Sequence, residues 1–140
     1  MNFRTLLKLG IVTGILMNAL DIGVQGLLLA GLYTAPVFRK PEDEIVSLVL
    51  ADFAAAFVFV WLYLRLGKAT GPGVGGGAKF GLYAGVLYSF PMFYAMHLLF
   101  NGYTFQLAVI NTVYQVLVYV VLGAAAGALN KPPVSRQPGS

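Results

Sequence analysis

The chain has 140 residues, of which 59% are hydrophobic, 10% are charged and none is cysteine. A soluble domain carries about 25% charged residues, and a mean hydropathy of +0.79 demands a non-aqueous solvent for most of the surface, so an integral membrane protein is expected. Nine Lys and Arg against five Asp and Glu give a net charge of +4 without any basic run to grip phosphates, which excludes nucleic acid as a partner. The absence of cysteine removes disulfides, C-x-x-C redox chemistry and thiolate metal sites together.

Spanning a hydrocarbon core of about 30 Å takes about 20 apolar residues, and four stretches reach that length. The first, residues 6–33, follows Arg4 and Lys8; it outruns a signal-peptide core and lacks an A-x-A site near Asn18-Ala19, so it reads as a helix. A loop over 34–44 leads to the second, residues 45–66. The segment 67–77, GKATGPGVGGG, has no apolar periodicity and reads as a flexible linker. The third stretch, 78–100, contains Pro91, which is expected to kink it, and only Asn101, Gly102 and Tyr103 separate it from the fourth, 104–129. So short a turn forces antiparallel neighbours. The tail, KPPVSRQPGS from Lys131, has no apolar face and reads as a disordered end.

The expected fold is therefore an all-α integral membrane four-helix bundle. It divides into a first transmembrane hairpin (1–66), a glycine-rich cytoplasmic linker (67–77), a second hairpin (78–129) and a cytoplasmic tail (130–140). Arg4, Lys8, Arg65, Lys68, Lys79, Lys131 and Arg136 fall on one side, whereas Arg39 and Lys40 on the other are accompanied by Glu42, Asp43 and Glu44. The positive-inside rule then places both termini and the linker in the cytoplasm. Tyr33 and Tyr103 would mark the outer interface, and Trp61 and Tyr63 the inner one.

A shift of 71 positions aligns Lys8 with Lys79, Gly10 with Gly81, Gly14 with Gly85, Leu16 with Leu87 and Gly31 with Gly102. Helices two and four match less well, although aligning Leu48 with Leu107 brings Asp52 onto Asn111. The pattern points to two tandem hairpins related as a parallel internal repeat. Gly10, Gly14 and Asn18, then Gly81, Gly85 and Ser89, and then Gly123 and Gly127 form small-residue stripes that permit close helix packing, within the chain or against a second subunit.

The informative residues are the costly ones. An Asp near a transmembrane helix centre costs about 2.5 to 3.5 kcal/mol, and Asp21 and Asp52 both fall within apolar stretches. Asn18, Asp21 and Gln25 share a face at i, i+3, i+7 spacing; Asn111 and Gln115 on helix four reach similar depths, with His97 near the outer end of helix three. Two explanations fit these seven residues. They bond one another across helices as polar glue, or they line an outward-facing cavity for a cation, a proton or a small polar molecule.

No metal site is expected, because Asp21, Asp52 and His97 lie at different depths without metal-ligand spacing, and a single histidine is too few for bis-histidine haem ligation. The glycines before Lys79 do not make a P-loop, since Ala78 intervenes and Phe80 follows. Phe90, Phe93, Tyr94 and Phe100 are read as lipid-facing packing rather than as a quinone wall.

The helix LMNALDIGVQGLLLAGLY, the AKFGLYAG opening of helix three and the VLGAAAGAL ending of helix four resemble small bacterial inner-membrane proteins of families of unknown function. That resemblance implies the four-helix fold and a bacterial inner-membrane setting, and no activity. The sequence thus suggests a non-enzymatic, cofactor-free accessory or scaffold membrane protein, packing through its glycine stripes as a homodimer or in a larger complex. The alternative is a small transporter or a proton- or cation-coupled carrier built around Asp21 and Asp52. An enzyme is least expected, because no nucleophile and base pair can be named.

Overall fold

The structure is a computed structural model that describes residues 2–33 and 45–130. The loop 34–44, with Arg39, Lys40, Glu42, Asp43 and Glu44, and the tail from Lys131 lie outside the described residues, as do the expectations placed on them.

Helix α1 spans Phe3–Leu20 and is opened by Asn2, whose side-chain oxygen accepts the Arg4 N–H at 3.0 Å. The chain does not continue as an α-helix to residue 33. Asp21–Leu28 widens into a π-helix, in which the Leu29 N–H reaches back five residues to the Val24 carbonyl at 2.8 Å, and Ala30–Leu32 then tightens into a 3₁₀ turn. Gly23 and Gly26 weaken the α-helical preference of this stretch.

Helix α2 spans Ile45–Leu66, α3 Gly73–Leu99 and α4 Phe105–Leu129, the last capped by Thr104, whose hydroxyl accepts the Leu107 N–H at 3.1 Å. Together with the π segment and the short 3₁₀ turn Gly67–Thr70, these give four spans long and apolar enough to cross a membrane. The expected linker is shorter than its glycine content suggested. Gly67–Thr70 is already helical, Gly71 and Gly73 turn the chain at φ of 100° and 69°, and Gly73 to Gly77 belong to α3. Helix α3 also continues through Pro91, which supplies no N–H to the Leu87 carbonyl.

Register follows from the glycines. A side chain at Gly10 would meet the Phe57 ring, one at Gly14 the Phe53 ring, and the Asn18 amide reaches the Val49 carbonyl at 3.5 Å, so α2 descends four residues for every four that α1 climbs. In the second hairpin the contact is backbone on backbone. A methyl group on Gly77 or Gly123 would strike the other's carbonyl, one on Gly81 the Tyr119 carbonyl, and one on Gly127 the Gly73 carbonyl. Gly10 and Gly14 line a seam filled by rings, and Gly81 and Gly85 one filled by the facing helix, by backbone and the Tyr119 Cβ.

The hairpins join where Leu9 and Met17 of α1 meet Ala56, Phe59 and Val60 of α2 and Val118, Tyr119 and Leu122 of α4. Phe80 of α3 closes the end near the N-terminus, its ring 5.5 Å from those of Phe59 and Tyr63. Tyr63 is buried there over Gly67, whereas Trp61 is exposed with the Arg65 guanidinium 5.8 Å from its ring. Arg4, Lys8, Arg65, Lys68 and Lys79 all fall at this basic end.

Burial is inverted relative to a soluble protein: Thr13, Ser89 and Asn111 are at most 1% exposed, while Leu27, Leu28, Leu87 and Leu99 are more than 75% exposed. Such an exterior suits lipid.

The backbone contact makes α3 and α4 intolerant of added volume. Gly123→Ala should lower stability in detergent by about 1–3 kcal/mol, as overpacking does, while Gly75→Ala, whose added carbon would meet nothing within 4 Å, should be neutral or stabilising. Thermal melts of the two variants check the contrast.

Candidate functional site

The polar residues of α1 and α2 converge because helical side chains lean toward their own N-termini. Asn18 and Val49 face each other across the α1–α2 seam. Asp21 lies one turn, about 4.5 Å, beyond Asn18 on α1, and Asp52 one turn before the level of Val49 on the antiparallel α2. Each carboxyl group leans back toward the Asn18–Val49 level, which brings the two close enough to act on each other electrostatically. A third helix completes the cluster: the Tyr114 hydroxyl of α4 donates to Asp21 Oδ1 at 2.5 Å.

One turn along α4 from Tyr114, on the side toward the α3–α4 turn, a second cluster closes the distal end of the bundle. The Tyr33 hydroxyl donates to Asn111 Oδ1 at 2.6 Å, and Asn111 Nδ2 donates to the Tyr103 hydroxyl at 2.6 Å. The buried Asn111 side chain is thus held from both sides, by the end of the first span and by the α3–α4 turn. Tyr103 is itself buried, its ring stacked on Phe93 with centroids 6.4 Å apart, so it is no interfacial anchor. Burial pushes the Tyr103 hydroxyl up to about 12 and raises that of Tyr33, which keeps both as neutral donors and acceptors at physiological pH.

Of the seven polar residues the sequence singles out, the structure brings Asn18, Asp21 and Asp52 to one level and puts Asn111 a turn away. Gln115 is buried beside Tyr114 on α4. Gln25 lies in the π segment, where the α-helical spacing that grouped it with Asp21 no longer applies, and Asp21 is hydrogen-bonded by Tyr114 instead. His97 does not join the aspartates. Its Nδ1 lies 2.9 Å from the Tyr103 carbonyl, with its ring against Tyr94 and Phe105 at the distal end.

Three tyrosines take roles that the sequence did not assign. Tyr33 and Tyr103 were expected as membrane-interface aromatics, and Tyr114 was not singled out. One signal was available: Tyr114 follows Asn111 by three residues and precedes Gln115, which places it on the polar face of α4. Beside the tyrosine clasp, the distal surface carries a hollow of about 50 Å³ lined by Leu32, Thr104, Gln106, Leu107 and Ile110, room for a few water molecules. No known protein family, curated protein or solved structure matches the chain, so the chemistry of the site is read from its own residues.

Two expectations concern the clasp. Asn111→Ala deletes both tyrosine bonds and should cost about 1–3 kcal/mol of stability, read as a lowered Tm in detergent. Unfolded tyrosine ionises near 10 whereas folded Tyr103 holds its proton to about 12, so its contribution is complete below pH 10 and is lost as pH rises from 10 toward 12. The Tm should fall over that interval, and Tyr103→Phe should lessen the fall.

Proposed function

We propose that the protein is a small membrane carrier coupled to a proton or cation, with Asp21 and Asp52 as the coupling site. The observation that carries this reading is the meeting of two carboxyl groups, from different helices, within the apolar spans, while every described Lys and Arg sits at the basic end. Two unneutralised carboxylates are prohibitively costly in a low-dielectric interior. Their charge must be cancelled by a species taken from solution, and what is taken up reversibly can be carried. A proton is the simplest such species, because it neutralises a carboxylate without adding ligands.

The alternative, an accessory or scaffold protein that docks through small-residue stripes, loses its surface. Gly10 and Gly14 are covered by Phe57 and Phe53, and Gly81, Gly85, Gly123 and Gly127 are covered by the facing helix of their own hairpin. By the positive-inside rule the basic end lies in the cytoplasm of a bacterial inner membrane, which turns the tyrosine clasp and its hollow outward.

Flux measurements test the proposal. Liposomes containing the wild-type protein should dissipate an imposed pH or cation gradient; Asp21→Asn and Asp52→Asn should fall to the leak rate of empty liposomes, and Tyr114→Phe should be slowed. Wild-type flux equal to that of empty liposomes at every pH, with both Asn variants losing thermal stability, would instead identify the cluster as structural glue.

A further inference from the structure

We propose that the basic end of the bundle is a docking surface for the headgroup phosphates of anionic phospholipids, with the Arg65 guanidinium, carried on the Trp61 ring, as its best-formed contact. The inference stands apart from the carrier reading and does not depend on it.

Helix register gathers the cations. Phe57 at Gly10 and Phe53 at Gly14 fix α1 against α2, and continuing that register toward the basic end sets Leu6 level with Trp61 and Asn2 level with Arg65. Arg4 therefore lies between the levels of Trp61 and Arg65, and Lys8 lies near that of Phe59. On α3, Phe80 is 5.5 Å from the rings of Phe59 and Tyr63, which brings its neighbour Lys79 to the same height. Lys68 follows in the 3₁₀ turn Gly67–Thr70. All five side chains are exposed. Side chains on α1 and α3 lean toward their N-termini, both of which lie at this end, so Arg4, Lys8 and Lys79 reach toward the headgroup layer.

Nothing in the described chain answers this charge. The acids among the described residues are Asp21 and Asp52, both farther up the spans, and even Asp52 is seven residues, about 10 Å, above the level of Lys8. The counter-charge is therefore drawn from outside. Exposed apolar side chains adjoin the cations in sequence: Phe3 precedes Arg4, Leu7 precedes Lys8 and Leu66 follows Arg65. Such a surface suits a partner that is anionic at one end and apolar at the other, which describes a phospholipid and not a soluble anion. Arg65 is the best-formed contact because its guanidinium lies 5.8 Å from the exposed Trp61 ring, within cation–π reach. Tryptophan favours the lipid–water boundary, and a planar guanidinium held there presents a fork of N–H donors that fits a phosphate bidentately. The lysines add point charges around it.

Trp61 is the only tryptophan of the chain, so its fluorescence reads the proposed contact directly. The full chain is reconstituted in phosphatidylcholine vesicles that contain, at equal mole fraction, either dibrominated phosphatidylglycerol or dibrominated phosphatidylcholine, whose bromine atoms quench a tryptophan they touch. Quenching, normalised to each protein's unquenched signal, should show a preference for the anionic lipid of more than about fivefold, the worth of one cation near an anionic surface. That preference should shrink as NaCl rises from about 0.1 M to about 1 M, which shortens the screening length from about 10 Å to about 3 Å. Arg65→Gln should lower it about fivefold at an unchanged Tm in detergent, with Arg65→Lys intermediate. If Arg65→Gln does not fold, the salt response of the wild type and the same measurement on Arg4→Gln decide. Equal quenching by the two lipids, or a preference that neither salt nor these variants reduce, would overturn the proposal. So would a preference abolished by inorganic phosphate at constant ionic strength, which would assign the cations to a soluble anion.

Discussion

Lipid gives two apolar helices no reason to prefer each other over the surrounding hydrocarbon, so helices in a membrane must associate through close fit and through polar contacts that lipid cannot replace. Everything in this chain answers that constraint. The second hairpin answers it by removing side chains altogether: Gly73, Gly77 and Gly81 of α3 meet Gly127, Gly123 and Tyr119 of α4 at backbone distance. The first answers it by shape, with the rings of Phe53 and Phe57 filling the spaces at Gly14 and Gly10.

Those two solutions have different consequences. Backbone contact makes α3 and α4 a tight unit in which α4 is the most enclosed span, 44% of its most apolar window being buried against 22% or less in the others. Helix α4 is therefore the element on which the rest is assembled: Val118, Tyr119 and Leu122 receive α1 and α2, Tyr114 reaches Asp21, and Asn111 ties the two hairpins together at the distal end. The first span departs from regular α geometry immediately after Leu20, where Asp21 begins the π-helical turns that lead to Tyr33. Non-α turns of this kind are frequent at functional sites. Here they separate the carboxyl pair from the clasp.

Polar groups in this interior are few, and nearly all the buried ones are answered. Thr13 bonds the Leu9 carbonyl at 2.7 Å, Thr112 the Ala108 carbonyl at 2.8 Å, and Asn111 two tyrosines. Against that background the unmet oxygens of Asn18 and Ser89 stand out. Asn18 lies one helical turn from Asp21 on α1, whereas Ser89 lies on α3.

Composition and apolar length alone determined that the chain lives in lipid as four helices, and the three-residue turn at 101–103 determined that α3 and α4 are antiparallel neighbours. These were legible because the solvent acts on every residue at once, and a short connection leaves no other geometry. Asp21 and Asp52 were legible as anomalies, since a carboxyl group in an apolar run is costly wherever it points. Their meeting was not legible, because they lie 31 residues apart and join only through the α1–α2 register that Phe53 and Phe57 impose on Gly14 and Gly10. The roles of Tyr33, Tyr103 and Tyr114 were hidden for a related reason: a tyrosine is equally at home in lipid, at an interface or on a buried partner. The α-helical start at Gly73 was masked because five glycines weaken local preference, and the backbone contact with α4 restores it. What tertiary structure alone decided is which polar groups face one another, because helix register is set by packing between segments and not by the periodicity within any one of them.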